Sequence, residues 1–421
     1  MRAFVFCLSS SVLKGERTKD KRQKTEDVRT KDRFVKEVLQ LVLLYDILHP
    51  MKTLLDRREF LALSAAAGLA GCVTTPSATK WTGTDKVKAL LLHLGHNMWC
   101  EWLPDDVQAT ATIHERYRPD DTLRNKDELW RRVVDRMAKR GLNMLVIDVG
   151  EGLVYPSHPE LAIKGSWSPD KLRDEVVRLR GMGIEAIPKL NFSATHDGWL
   201  KHYHRMLTLP KYYEVVKDVI RDVAEVFQTP RFFHLGYDEE TVGFSSNRNY
   251  FVMRAGEMWW HDFLYTVKCA EDCGCRPWVW SDYGWDHPDY FSRCPKSVVQ
   301  SNWYYDECLG GFDLAKDKTP HRKRLKEFWD LAKAGFDHIP CGTNWIGHER
   351  RRAKIGANDV IGKLVKLGRE VVSDKHLLGF MMVPWASCNN EQSTQFNLEG
   401  VDLFADALEG KIADVGPFVE R

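Results

Sequence analysis

The sequence predicts an α/β protein built as a (β/α)8 TIM barrel with a single catalytic domain. Three observations predict it. Eight short apolar runs alternate with amphipathic stretches from residue 87 onward. No internal repeat, low-complexity tract or linker divides this body. Polar and acidic residues gather after the C-terminal ends of the apolar runs, whereas the opposite turns, "RGLN" and "GMG", are short and plain. That asymmetry suits a barrel, whose active site is assembled from the loops that follow its strands.

The segments preceding the barrel read as an address. Residues 51–72, "MKTLLDRREFLALSAAAGLAGC", hold the adjacent Arg57 and Arg58, a short apolar run and then Leu69-Ala70-Gly71-Cys72. The apolar part is shorter than the roughly 20 residues a permanent spanning helix needs. It has the charged, apolar and small-residue regions of a secretory signal. The arginine pair resembles a twin-arginine signal. The Leu-Ala-Gly-Cys end resembles a bacterial lipobox, in which Cys72 becomes the lipidated first residue. The expectation is an exported protein, periplasmic or an outer-membrane or cell-surface lipoprotein, held to the bacterial membrane by its lipid anchor. A signal belongs at an N-terminus, so residues 1–50 read as a non-native extension from a mis-set start. Residues 73–86 read as a polar tether, and 87–421 as the barrel.

Charge narrows the partners. The chain carries a net +2, and residues 1–50 hold 11 Lys/Arg against 7 Asp/Glu, so the remainder carries −2. A near-neutral body without a basic stripe argues against nucleic acid. All 15 Trp residues lie after residue 80. Some belong to the core; others suit a groove, because indole faces stack on the apolar faces of sugar rings. Of the ten cysteines, eight lie in the body. "CAEDCGC" (Cys269, Cys273, Cys275) fits no standard zinc spacing, so buried thiols or one disulfide are expected. No nucleotide-binding glycine loop or metal cluster is apparent, and no cofactor or metal is expected.

The eight strand candidates are 87–95, 143–150, 184–192, 231–239, 276–283, 297–305, 336–345 and 377–386. Between them, "KDELWRRVVDRMAKRG" places Leu129, Val133, Val134 and Met137 on one helical face. "SPDKLRDEVVRLRGMG" opens with Ser168 as N-cap and Pro169 at the first helical position. "YYEVVKDVIRDVAEVF" and "HRKRLKEFWDLAKAGF" repeat the 3–4 spacing.

The polar residues at the strand ends are Asp148, Glu151, Asn191, His196, Asp238 to Glu240, Asp282, Asp306, Asn389 and Asn390. The densest stretch is "FFHLGYDEET", residues 232–241. Strand side chains alternate between faces, so Leu235 and Tyr237 should face the helices, and His234, Gly236 and Asp238 the lumen. Glu239, just past the strand, can swing over the barrel mouth. Two carboxylates beside tryptophans suit glycoside hydrolysis, with one protonated to donate to the leaving oxygen and the other charged near developing positive charge.

"HLGYDEE" resembles the His-x-Gly-Gly-Asp-Glu motif of the family 20 glycoside hydrolases, the β-N-acetylhexosaminidases. "IEAIPKLNFSATH" is similar to that family's Glu-x-Ile-Pro-Glu-x-Asp followed by His. "WVWSD" resembles its Trp-x-Asp/Glu, and Trp303 and Trp385 match its pocket tryptophans. The resemblance spans roughly residues 87–390. It implies a retaining, exo-acting enzyme whose substrate supplies the nucleophile through its 2-acetamido group. Asp238 would orient that group. Glu239 would protonate the glycosidic oxygen and then activate water. Trp280, Trp303 and Trp385 would enclose the sugar, and Asp282 would bind a hydroxyl. Asn191, His196 and Tyr305 would join the substrate-binding set, with His196 and His234 tuning the carboxylates by hydrogen bonds.

Some positions depart from the family pattern. Tyr237 replaces the second motif glycine, Asn191 stands where the family has Asp, and Ser387 where it commonly has Glu. Strand one offers His93, His96 and Asn97 instead of an Arg that grips sugar hydroxyls. The family's acetamido-binding Tyr has no clear counterpart; Tyr304 or Tyr305, after strand six, would have to substitute. Two other functions fit the residues: a glycosidase of another barrel type acting on a sugar without an acetamido group, and a non-catalytic carbohydrate-binding surface lipoprotein. The expected partner is in each case a glycan or glycoconjugate.

Overall fold

A computed structural model describes residues 86–103, 117–245, 248–250, 252–305, 321–344 and 358–411. All lie in one compact unit, Thr79–Arg421. Cys72, the 51–72 signal, the extension 1–50, nearly all of the tether and Asp306 fall outside the described residues.

Eight parallel strands form the barrel: β1 Val87–His93, β2 Met144–Asp148, β3 Glu185–Lys189, β4 Phe232–His234, β5 Arg276–Trp280, β6 Val299–Ser301, β7 Cys341–Gly342 and β8 Gly379–Met382. Their hydrogen-bonded order is β6-β5-β4-β3-β2-β1-β8-β7. Single bridges, Gln300 to His338 and Trp303 to Cys341, join β6 to β7 and close the ring. Each strand lies inside its expected run. β7 is the shortest, two residues against the ten of its run.

Helices follow the strands in turn: α1 Asp127–Lys139, α2 Pro169–Gly181, α3 Pro210–Val226, α4 Glu257–Asp272, α5 Tyr290–Arg293, α6 His321–Ala334, α7 Asn358–Val371 and α8 Glu391–Leu408. The fifth crossover carries a 3-10 turn, Asp282–Trp285, and the single turn of α5. Ser168 caps α2, its hydroxyl accepting from Lys171 N at 3.1 Å. Asn390, expected near the site, instead caps α8 by accepting from Ser393 N at 2.9 Å.

Alternation along the strands sorts the core into two. Leu90, Leu92, Leu145, Ile147, Phe233, Leu235 and Tyr237 pack outward with the helices. Ala89, Leu91, Val146, Ile187, Phe232, Trp278 and Trp280 pack in the lumen. This is the period of two that a closed sheet imposes. The same register aligns His93 with Asp148, Asp148 with Lys189, and Lys189 with His234, a polar belt above the apolar floor. All seven described cysteines are free; Cys269 and Cys275 are buried and Cys273 is half-buried. No disulfide forms among the described residues.

Candidate active site

Strand β4 ends at His234, and the next residues turn sharply. Gly236, Tyr237 and Glu239 have φ of +77°, +74° and +55°. At Gly236 this conformation is free of cost, and a Cβ there would stand 2.0 Å from Asn191 Oδ1, so no larger residue fits. Tyr237 bears the strain of the left-handed region. Its packing holds it there: the phenol contacts Thr266 Oγ1 at 2.8 Å and donates to Asp262 O at 3.1 Å, both on α4.

Every residue of the turn is tied down. Gly236 N donates to His234 Nδ1 at 3.1 Å. Tyr237 N donates to Asn191 Oδ1 at 3.2 Å. Ser193 Oγ donates to Asp238 O at 2.6 Å. Glu239 N donates to Asp282 Oδ2 at 2.9 Å. Glu240, in the same loop, is an anchor whose side chain is buried. Its Oε1 accepts from Ala194 N at 2.7 Å and from Arg254 Nε at 2.8 Å, and Arg254 reaches on to Asp262 at 3.2 Å. The carboxylate pair is therefore held on a rigid turn before any ligand arrives, the arrangement catalysis needs.

The two carboxylates differ in exposure. The Asp238 side chain is 8% exposed and that of Glu239 35%. Asn191 Nδ2 donates to Asp238 Oδ1 at 2.7 Å. His196 Nε2 stands 3.7 Å from Asp238 Oδ2 and 3.6 Å from Glu239 Oε2. Burial pushes His196 down to about 4, so the ring is neutral at pH 7. Burial, reinforced by the charge of Asp238, pushes Asp282 up to about 7. His196, Asp238 and Glu239 each place one ligand atom within 4.8 Å of the others, and these three could hold a metal ion.

A cavity of about 450 Å³ opens over this pair, lined by Trp99, His196, Asp238, Glu239, Phe244, Trp280, Trp303, Tyr305, Arg324 and Trp385. Trp303 stacks on Tyr305 at 4.9 Å, and Trp385 lies 6.2 Å from Trp280 and 6.1 Å from Trp99. Tyr305 lies on the cavity wall with its hydroxyl 3.7 Å from Cys341 Sγ. Tyr304 packs outward in the helix-side core, so of the two it is Tyr305 that faces the cavity.

Three sequence-predicted residues do not line the cavity. The sequence reading sets Asn191 and Asp282 against the sugar, but both stand behind the carboxylates. Asn191 is occupied by Asp238, Tyr237 and Ser193, and Asp282 by Glu239 N and the Trp303 indole, whose Nε1 donates at 3.2 Å. Both lie two residues past the ends of their strands, where the backbone of the 236–239 turn needs acceptors. His234 is fully buried, its ring 4.7 Å from Trp280 and 5.0 Å from Trp278; it supports the turn through Gly236 N and does not reach either carboxylate.

Sequence reasoning missed Trp99, Phe244 and Arg324. Trp99 had a signal: it lies six residues beyond β1, on the mouth side. Phe244 and Arg324 enter from helical turns, with no strand-end position to mark them. Lys189 was also missed. It is fully buried in the lumen, 2.8 Å from Asp148, which His93 also meets at 3.0 Å.

The fold and site together are those of a parallel (β/α)8 barrel with a carboxylate pair under an aromatic wall. No protein-family model and no curated protein matches the chain. Solved structures similar to it include a family 20 exo-β-N-acetylglucosaminidase from Vibrio harveyi in complex with N-acetylglucosamine, 14% identical, covering 77% of this chain and 57% of that one, with a TM-score of 0.48. A β-N-acetylhexosaminidase from Bacteroides fragilis is 13% identical, covering 79% and 66%, TM-score 0.49. Dispersin B is 14% identical, covering 68% and 95%, TM-score 0.48. The chain spans little more than half the length of the Vibrio protein. At these values the functional reading rests on the site itself.

Proposed function

We propose that this chain is a retaining, exo-acting glycoside hydrolase of the β-N-acetylhexosaminidase type. One observation carries the reading: two adjacent carboxylates of unequal exposure are locked on a strained turn beneath a tryptophan-walled cavity. In this reading Glu239, the more exposed, gives its proton to the glycosidic oxygen as the bond to the anomeric carbon breaks. The substrate's acetamido oxygen forms the new bond to that carbon. Asp238 accepts from the acetamido N–H and offsets the positive charge that develops on the ring so formed. Glu239, now a carboxylate, takes a proton from water, whose oxygen reopens the ring with net retention. No protein nucleophile is required, which suits a pair that issues from a single strand end. Trp280, Trp303, Trp385 and Trp99 supply apolar faces for the sugar, and Tyr305 a hydroxyl for the acetamido group.

The test is a panel of chromogenic β-glycosides. Cleavage of the N-acetylglucosaminide or N-acetylgalactosaminide, inhibition by an acetamido-mimicking thiazoline, and loss of about 10²–10⁴-fold in rate for Glu239→Gln are expected. Cleavage only of sugars lacking the acetamido group, untouched by thiazoline, would replace substrate assistance with another barrel mechanism. Sugar binding without turnover would make the protein a lectin-like one. Export as a lipoprotein is part of the proposal and rests on Arg57-Arg58 and Leu69–Cys72. Labelled fatty acid should enter the wild-type chain and not Cys72→Ala.

A further inference from the structure

Three segments around the site converge on one side chain behind it. Arg254 lies three residues before α4, and its guanidinium is fully buried. Its Nη2 donates to Phe192 O at 2.9 Å, in the segment after β3 that also holds Asn191 and His196. Its Nε donates to Glu240 Oε1 at 2.8 Å, in the loop after β4 that holds Asp238 and Glu239. Its Nη1 donates to Asp262 Oδ2 at 3.2 Å, on α4. Each partner is held in turn. Glu240 Oε1 also accepts from Ala194 N at 2.7 Å, so the first two segments are joined a second time. Asp262 Oδ1 accepts from the Tyr213 hydroxyl on α3, and Asp262 O from the Tyr237 phenol at 3.1 Å. The guanidinium lies 5.4 Å from the ring of Tyr237, the residue held at φ +74° just before Asp238.

A planar guanidinium suits this joint. It sends its N–H groups in fixed directions to several acceptors at once, whereas an ammonium is a compact point charge on a flexible stem. Bonds to charged groups are also the stronger ones, and burial strengthens them further. We propose that Arg254 is a positioning residue of the reaction: it holds the His196 segment against the Asp238–Glu239 turn and so sets where the two working carboxylates stand. The inference rests on the hydrolase reading and goes beyond it, because Arg254 is not among the residues that line the cavity. Across the joint that Arg254 closes, His196 Nε2 stands 3.7 Å from Asp238 Oδ2 and 3.6 Å from Glu239 Oε2. A misplacement of about 1 Å at such groups can cost about 10²-fold in rate. The tryptophan wall belongs to other elements: Trp280 ends β5, and Trp303 and Trp385 follow β6 and β8. A change at Arg254 should therefore damage turnover and spare sugar binding.

Steady-state kinetics of the full chain test this, on whichever chromogenic glycoside of the panel the wild type cleaves. The variants are Arg254→Lys, Glu240→Gln and the two combined. Arg254→Lys keeps a cation between Glu240 and Asp262, and thermal melting gives its folded fraction. Its kcat per folded chain should fall by about tenfold or more with KM little changed, the pattern of a lost transition-state placement. Glu240→Gln loosens the same joint and should also lower kcat. The double variant should be little worse than Arg254→Lys, because residues acting through one link are not additive. A side chain that served stability alone would lower the melting temperature and leave kcat per folded chain as it was. Unchanged kcat in folded Arg254→Lys, a loss confined to KM, or losses that multiply in the double variant would overturn the proposal. If Arg254→Lys folds poorly, Glu240→Gln decides alone, and a wild-type kcat there overturns it. A wild-type chain that cleaves no glycoside removes the hydrolase reading and this inference with it. Cleavage by the wild type with variants that match it removes this inference only.

Discussion

Two charged clusters share the upper lumen of this barrel, and they are built in opposite ways. On β1 to β3, Asp148 is answered by Lys189 and His93, and all three are buried. Burial alone would raise the Asp148 carboxyl; the ammonium and the imidazole hold it well below the usual range instead. At the end of β4, Asp238, Glu239, Asp282 and His196 crowd together, with Asn191 Nδ2 donating to Asp238 and Glu239 N to Asp282. The first cluster is balanced at folding and closed. The second sets two carboxylates, Asp238 and Glu239, on the wall of a cavity. Like charges kept close cost stability and are retained where they do chemistry.

The comparison can be broken from either side. The largest effect is expected in the open cluster. Asp238→Asn should lower kcat by about 10²–10³-fold, as for loss of a group that meets charge developing in the transition state. Its stability in urea should equal or exceed that of the wild type, because the repulsion with Asp282 is relieved. A marked loss of stability would show that Asp238 belongs to the scaffold.

In the closed cluster the order reverses. Lys189→Met leaves Asp148 buried with His93 alone and should cost about 3–5 kcal/mol of unfolding free energy. The double change Lys189→Met with Asp148→Leu should recover much of that loss, because no uncompensated charge remains. If the double variant is as unstable as the single one, packing rather than charge explains the site.

A smaller effect concerns Glu151, which burial pushes up to about 7 although His96 N and Asn97 N donate to it. Its folded pKa exceeds the unfolded one, so the folded chain holds the extra proton between about pH 4 and 7. Its contribution therefore falls as pH rises, by up to about 1.4 kcal/mol per pH unit. Buried histidines such as His196 titrate in the opposite sense and cancel in a difference. Relative to the wild type, Glu151→Gln should become more stable from pH 4 to 7 in urea unfolding. A difference flat with pH would mean Glu151 is ionised in the fold. The smallest effect is outside both clusters: Arg132→Ala breaks an exposed pair with Glu391 and should leave the unfolding midpoint unchanged.

The candidate site was legible where one strand and its alternation suffice. His234 inward follows from a period of two; Leu235 and Tyr237 do lie toward the helices and Asp238 with Glu239 at the mouth, but past His234 a left-handed turn rather than strand alternation sets them. Asn191 and Asp282 were legible as site residues but not in their roles. Each carboxamide or carboxylate could face a sugar or a backbone amide, and only the path of the 236–239 turn decides which. Glu240 illustrates the same point, since its partner Arg254 is fourteen residues away and reaches it only after the chain has turned back.

By itself the sequence determined the alternation of eight strands with helices, the Ser168 cap, and the concentration of carboxylates and tryptophans at one end. These depend on local periodicity and on residue chemistry. The tertiary structure alone decided that β6 and β7 close the ring, that His93, Asp148 and Lys189 neutralise one another, and that His196 of one loop stands beside Asp238 and Glu239 of another. Such contacts are set by register between strands and by left-handed backbone at Gly236, Tyr237 and Glu239. Neither is encoded in any local pattern, because each is stable only once its neighbours are in place.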